Sequence, residues 1–453
     1  MSVTPAARTS FIEALAVYLR PRVLIVMLLG FSAGLPLALS GSTLLFWAAE
    51  VGVDLKTIGL FLLVGTPYTV KFFWAPLVDA LDVPVLARLL GRRRGWLMLT
   101  QMLLLAAIVF LGANDPVAAP AIVALGGLMV ATASATQDIV VDAFRVESLN
   151  ESEQAAGMAS YVAAYRVAVL ASGAGALFIV SGFESLGFTK QNAWSASYMV
   201  MAALVLVGML ATLIATEPEK SAAADAIHHG ESALQRLWHT IVGAFTDFFL
   251  RETFLVAIVV LLFVVFFKFT DALAGVMTGP FAVELGFSRN EYATIIKVFG
   301  FAATIIGGFA GGYVARVLPL ASSLWIAGIL QALANFAFSW QAVVGYDVAW
   351  LTFAITVENF TSGIGTVIFV AYLSALCRNP LHTATQYALL TAFSAVGRTY
   401  LSAGAGFIAS ATGWVWFFVI CALAAIPSFI LLAWLQTRGH FAALEKPRTP
   451  SAA

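Results

Sequence analysis

Nine ionisable side chains lie inside stretches of sequence that are otherwise almost wholly apolar: Lys71, Asp138, Asp142, Arg166, Lys268, Asp271, Lys297, Glu358 and Arg398. Each costs roughly 2.5–3.5 kcal/mol at the centre of a membrane helix, so a chain that keeps them turns them toward a protein interior or a wet cavity. Five are basic and four acidic, and a low-dielectric enclosure of slightly positive balance attracts an anion. Arg166 and Arg398 have no opposite charge within one helical turn. They are candidate substrate-binding groups, with pairing between helices as the other reading. Lys71 and Lys268 join that set, and Gln137 and Asn359 add amides that donate and accept hydrogen bonds. Lys268 and Asp271 are i, i+3 and can instead pair with each other. Lys297, near the outer end of its run, can simply snorkel.

Asp138 and Asp142 are i, i+4 and share one helix face. A carboxyl taken out of water can take up and release a coupling proton. Asp138 is the first candidate for that role, with Glu358 and Asp271 behind it. Asp142 and Arg145 are read as a latch at the inner end of the same run. Asp79 closes one run and Gly91-Arg92-Arg93-Arg94-Gly95-Trp96 opens the next. Asp142 and Arg145 are gating candidates as that latch. Asp79, Arg92 and Arg93 read by themselves as an inward-positive anchor, and become gating candidates through the motif resemblance given below.

The elements that must hold these groups are membrane helices. The chain has 453 residues, 61% hydrophobic and 11% charged, with mean hydropathy +0.93. A soluble domain has about 25% charged residues, so a soluble protein is excluded. Twelve apolar runs are long enough to span a bilayer: 23–48, 57–80, 96–114, 118–144, 155–182, 193–216, 253–280, 291–315, 320–343, 348–376, 383–411 and 414–437. With both termini in the cytoplasm, sixteen of the 24 Lys and Arg fall on the inner side. Only Lys56, Lys190 and Arg289 fall in outer loops, as the positive-inside rule requires. The segment 217–252 divides an N-terminal six-span bundle (1–216) from a C-terminal one with a short tail (253–453). Within it Leu234, Leu237, Trp238, Ile241, Phe245 and Phe248 recur at helical spacing, predicting a helix on the cytoplasmic membrane surface. Ala49–Val53 and Val283–Phe287 form a short internal repeat at an offset of 234 residues.

Other chemistry finds little support. The 24 basic and 24 acidic residues cancel, giving no hint of a nucleic-acid partner. The histidines, at 228, 229, 239, 382 and 440, lie in or near cytoplasmic segments. They offer neither a metal set nor a triad inside the spans. Cys377 and Cys421 read as packing residues. No metal or other cofactor is implied, and an intramembrane enzyme is disfavoured. In span 1, Gly30 to Pro36 weakens the helix, either at a cavity or for close packing of small residues.

None of the nine charges falls in spans 3, 6, 9 or 12. Two six-span bundles in parallel repeat are the plan of the major facilitator superfamily, in which those four helices are outer supports. The Asp79 and Gly-Arg-Arg loop resembles the facilitator signature motif at longer spacing. More specifically, the chain resembles the AmpG family of muropeptide permeases over about residues 22–437. The matching segments are Gly30–Leu39, Asp54–Gly59, Gly91–Trp96 and Gln137–Val140 in the first half. In the second they are Lys268 with Asp271, Lys297, Glu358-Asn359, Gly363–Thr366 and Ser394–Arg398. Gln-Asp-Ile and the Gly-Arg-Arg loop are also similar to acetyl-coenzyme A transporters. The resemblance implies a proton-coupled importer of anhydro-muropeptides, working by alternating access in the inner membrane of a Gram-negative bacterium. Such import feeds peptidoglycan recycling and, in some bacteria, β-lactamase induction. The expected partners are an anionic glycopeptide, protons and membrane lipid, with the chain acting as a monomer. The alternative is a carrier of another large anion, such as a coenzyme A ester. Phe144-Arg145 stands where the family pattern has Trp-Lys, which keeps the charge and changes the hydrogen-bond geometry.

Overall fold

The computed structural model describes residues 16–150, 153–218, 254–376 and 383–445. The amphipathic stretch 234–248, Cys377 and His382 lie outside the described residues. Helix is the only regular structure among the described residues. Among the described residues, ten stretches are long and apolar enough to cross a membrane. One of them, Leu390–Thr437, takes in most of the predicted run 383–411 and all of 414–437, and the chain turns between them at Gly413 (φ 74°, ψ 166°). Positive φ is open to glycine without a Cβ penalty. The predicted run 57–80 is a succession of short pieces, Leu55–Leu60, Phe61–Gly65, Thr66–Val70, Lys71–Phe73 and Ala75–Ala80. Pro67 lies inside it and supplies no backbone donor.

Local sequence fixes several helix ends. Asp54 accepts from the Thr57 amide ahead of Leu55–Leu60. Thr189 does the same for Lys190–Ile214. Ser288 and Glu291 form a reciprocal capping box at Arg289–Ile295, satisfying donors that the first turn leaves unpaired.

The chain separates into two compact units, residues 1–43 with 71–233 and residues 44–70 with 234–453. In the first, Leu29, Leu97, Val140, Val141, Phe144 and Ala211 form a buried core. Span 1 lies against span 5 through small residues. A Cβ on Gly30 would stand 2.6 Å from the Tyr161 carbonyl oxygen, and one on Gly34 2.4 Å from that of Tyr165. The Gly30–Pro36 stretch is thus a close-packing surface. In the second unit, Phe263, Phe267, Phe369 and Tyr372 anchor the core with Leu324, Ile368 and Leu432. The helix Leu55–Leu60 lies against Ala405–Leu423 in that unit, and Arg289 forms an ion pair with Glu50. Cys421 is buried.

Among the described residues, three spans carry a turn of wider π geometry: Ala171–Gly175, Ile296–Gly300 and Gly397–Leu401. Single π turns inside α-helices occur often at functional sites. Lys297 and Arg398 sit on the second and third of them, and Arg166 lies just over one turn before the first.

Candidate functional site

In the first unit the site is built on Pro120–Ser148, the predicted fourth span. Asp138 Oδ2 accepts from Lys71 Nζ at 3.2 Å. Its Oδ1 is buried with no hydrogen-bond partner. Lys71, read from the sequence as a substrate-binding group, is thus paired with Asp138. The pair joins a residue in the broken span 2 to one in span 4, 67 positions apart. One turn along, Trp74 Nε1 donates to Thr136 Oγ1 at 3.1 Å, a second tie between the same segments. Gln137 is fully buried, and its Nε2 donates to Ser32 Oγ at 3.1 Å. Here it fastens span 4 to span 1 rather than facing open space. Arg166 is exposed, with no ion pair among the described residues.

In the second unit the polar cluster joins spans 7, 8 and 10. Lys268 Nζ donates to Asp271 Oδ2 at 3.1 Å and to Thr366 Oγ1 at 3.1 Å. Ser362 Oγ donates to the same Asp271 oxygen at 3.0 Å. Glu358 Oε2 accepts from Asn359 Nδ2 at 2.7 Å, and Asn359 Oδ1 accepts from Thr304 Oγ1 at 3.1 Å. The i, i+3 pairing of Lys268 with Asp271 is therefore present, with hydroxyls completing each partner's shell. Glu358, Ser362 and Thr366 recur every fourth residue and line one face of Val348–Leu376. Arg398, on its π turn, is exposed and makes no ion pair among the described residues.

Sequence reasoning missed Ser362, Thr366, Thr304 and Trp74. The signal for the first two was available in the four-residue spacing from Glu358. Thr304 and Trp74 are recognisable only once their helices are placed.

The gating candidates separate. Arg93, only 5% exposed, holds Glu147 through Nη2 at 2.6 Å and through Nε, and Arg92 reaches the same carboxylate at 3.7 Å. Glu217 accepts from the backbone amides of Arg93 and Arg94 at 2.8 and 3.1 Å, capping the first turn of Arg92–Gly112. A carboxylate at that end is favoured by the helix dipole. Asp142 and Arg145 meet only at 3.6 Å, with the Asp142 side chain 57% exposed, a geometry worth little. Asp79 lies in Ala75–Ala80, and its side chain is outside the described residues. Arg20 donates to Glu153 at 2.9 Å. This bond, with the Asn150 amide, holds the Glu153 carboxyl below the usual carboxylate range.

Two polar clusters of this kind, each walled by apolar helix, are the furniture of a transporter. Residues 26–400 match the Major Facilitator Superfamily. The chain is 38% identical over 421 residues to the anhydromuropeptide permease of Escherichia coli K12, covering 93% of this chain and 81% of that one. The chain belongs to the AmpG family of muropeptide permeases, within the major facilitator superfamily. An AmpG-named transporter of Rickettsia conorii is 34% identical over 413 residues, 91% of this chain and 96% of the relative. Solved structures share the fold alone. The inward-open xylose transporter XylE from E. coli superposes with TM-score 0.64 at 11% identity, over 95% of this chain and 97% of its own. A POT family transporter bound to a thioalcohol-conjugated peptide gives TM-score 0.64 at 12% identity, over 94% and 96%. This AmpG-family chain is a multi-pass membrane transporter and not an enzyme.

Proposed function

We propose that this permease imports anhydro-muropeptides together with protons across the inner membrane, by alternating access. Both termini lie in the cytoplasm, and the imported sugar-peptide feeds peptidoglycan recycling. The observation that carries the substrate is the 38% identity, over 93% of the chain, to a permease named for it. The geometry supports an anion: each unit holds one exposed intramembrane guanidinium with no ion pair among the described residues, Arg166 in the first and Arg398 in the second. Asn359 and the hydroxyls of Ser362 and Thr366 offer hydrogen bonds to sugar and amide groups. Lys71–Asp138 and Lys268–Asp271–Glu358 are the candidate proton sites. The inner gate is assigned to Arg92, Arg93 and Glu147, with Asp142 and Arg145 beside them.

The direct test is uptake of labelled anhydro-muropeptide by proteoliposomes with and without an imposed proton gradient. Uptake that depends on the gradient and is competed by unlabelled muropeptide supports the reading. Transport of a coenzyme A ester with no response to muropeptide overturns the substrate. The arginines are tested by Arg166→Gln and Arg398→Gln. Hydrogen bonds to charged groups contribute about 1.5–3 kcal/mol, so each change should weaken substrate binding about ten- to a hundredfold. Arg→Lys should restore only part of it, because the planar two-pronged donor is lost. Unaltered binding in both Gln variants would assign the arginines to structure.

A further inference from the structure

Ser32 of span 1 is 0% exposed, as are Gln101 of span 3, Gln137 of span 4 and Thr212 of span 6. Four polar side chains from four helices of the first unit are thus enclosed together, and their meeting place is marked by Gly208 of span 6. A Cβ on Gly208 would lie 2.3 Å from Ser32 Oγ, 2.5 Å from Ser32 Cβ and 3.0 Å from Gln101 Nε2. The absent side chain is what lets the serine approach span 6 so closely. Thr212, one turn along from Gly208, donates to Gln101 Oε1 at 3.0 Å and so steadies the second wall of this seat.

From that seat Ser32 Oγ accepts from Gln137 Nε2 at 3.1 Å. The amide of Gln137 has no second hold, since its Oε1 is buried without a hydrogen bond. Asp138 follows directly in the chain. With 3.6 residues to a turn, neighbouring side chains of a helix point in fixed relative directions, so holding Gln137 sets the bearing of Asp138. Three consecutive side chains of span 4 are in fact held from outside it: Thr136 by Trp74, Gln137 by Ser32 and Asp138 by Lys71. Trp74 and Lys71 belong to the broken run of short helical pieces. The tie to Ser32 runs instead to the continuous helix Pro21–Leu39, and both of its partners are wholly buried.

We propose that Ser32 is a positioning residue for proton coupling: seated against Gly208, its hydroxyl holds Gln137 and thereby sets the bearing of Asp138 toward Lys71. This role presupposes that Asp138 carries the coupling proton, as proposed above. It also gives spans 3 and 6, which carry none of the nine intramembrane charges, a part in coupling, because they supply the walls against which the serine rests. A residue that only fills space needs the volume of a serine, whereas this role needs its oxygen, and the two requirements separate experimentally.

The test uses the whole chain in proteoliposomes, with thermal unfolding in detergent to verify the fold of each variant. Ser32→Ala removes the hydroxyl and little volume. It should lower the initial rate of proton-driven accumulation of labelled anhydro-muropeptide about tenfold, on the scale of one buried hydrogen bond. Exchange of labelled for unlabelled muropeptide without a gradient, which requires no proton to be released, should keep its rate. A hydroxyl moved across the contact should then restore coupling. Gly208→Ser/Ser32→Gly brings one from span 6 to the place that the span 1 hydroxyl held, and should recover most of the accumulation. Gly208→Ala/Ser32→Gly refills the same space without an oxygen and should not. Normal accumulation by Ser32→Ala, with Asp138→Asn inactive, overturns the role of Ser32 and leaves that of Asp138 standing. Accumulation by Asp138→Asn itself removes the proton site and this role with it. Equal loss of exchange and accumulation, or equal recovery in the two double variants, would make Ser32 a packing residue and overturns the proposal. Should Ser32→Ala fail to fold, the two double variants decide.

Discussion

Asp138→Asn should leave this permease able to bind its substrate and unable to concentrate it. In proteoliposomes with an imposed proton gradient, the internal substrate level should rise no higher than the external one. The change keeps the shape of the side chain and removes its charge and its titration. Asp138 is singled out by its surroundings: one oxygen meets Lys71 at 3.2 Å and the other is buried without a hydrogen bond. An asparagine cannot take up a proton there, and it cannot release Lys71 on doing so. The same substitution also strips a counter-ion from Lys71, which is itself destabilising for a part-buried pair. Lys71→Gln/Asp138→Asn separates the two effects. The double variant should recover thermal stability lost by Asp138→Asn, since no charge is left unpaired, and should still fail to concentrate substrate. Proton-driven accumulation by Asp138→Asn would pass the role to Glu358 or Asp271, which the same assay on Glu358→Gln and Asp271→Asn would then assign.

Gly406→Val should cost the protein most of its folded yield. A Cβ at Gly406 would lie 1.7 Å from the Leu55 carbonyl oxygen, and one at Gly59 would lie 2.7 Å from that of Ala403. Both obstacles are backbone, so no rotamer change relieves them. Overpacking costs typically 1–3 kcal/mol and occasionally more, and the rigid partner puts Gly406→Val at the upper end. Gly404 is the control, because nothing lies within 4 Å of a Cβ placed there. Gly404→Ala should stay within about 0.5 kcal/mol of the unaltered protein. Thermal unfolding in detergent, with the recovered monodisperse fraction, compares the two. Equal behaviour would show that Leu55–Leu60 and Ala405–Leu423 do not meet as closely as described.

The helical, polytopic character was legible because apolar runs of twenty or more residues have few other uses. The short-range chemistry was legible too: Lys268 and Asp271 are three apart, and their pairing needs only a helix. What could not be read were pairings that depend on which helices adjoin. Lys71 and Asp138 are separated by two loops and a whole span, and nothing local marks one as the other's partner. Gln137 was read as a group for a polar ligand, and the tie of its Nε2 to Ser32 on another span, with Oε1 left buried and unbonded, has no local mark either. Run 57–80 passed as one helix because its apolar content is continuous, although Pro67 was a visible warning. The π turns at 171–175, 296–300 and 397–401 had no compositional mark, since they reflect one residue more per turn and not a change of residue type.

The membership of residues 44–70 in the second unit has a consequence for assembly of the chain from pieces. If the permease is expressed as two polypeptides severed within 217–252, the second unit is divided between them. The upstream polypeptide carries Leu55–Leu60 and Glu50, while the downstream one carries Ala405–Leu423 and Arg289. Each alone leaves a glycine-lined backbone surface and one member of an ion pair without its complement. Co-expressed fragments should therefore protect each other from membrane proteases, and a downstream piece extended by a tethered copy of 44–70 should survive where the bare piece does not.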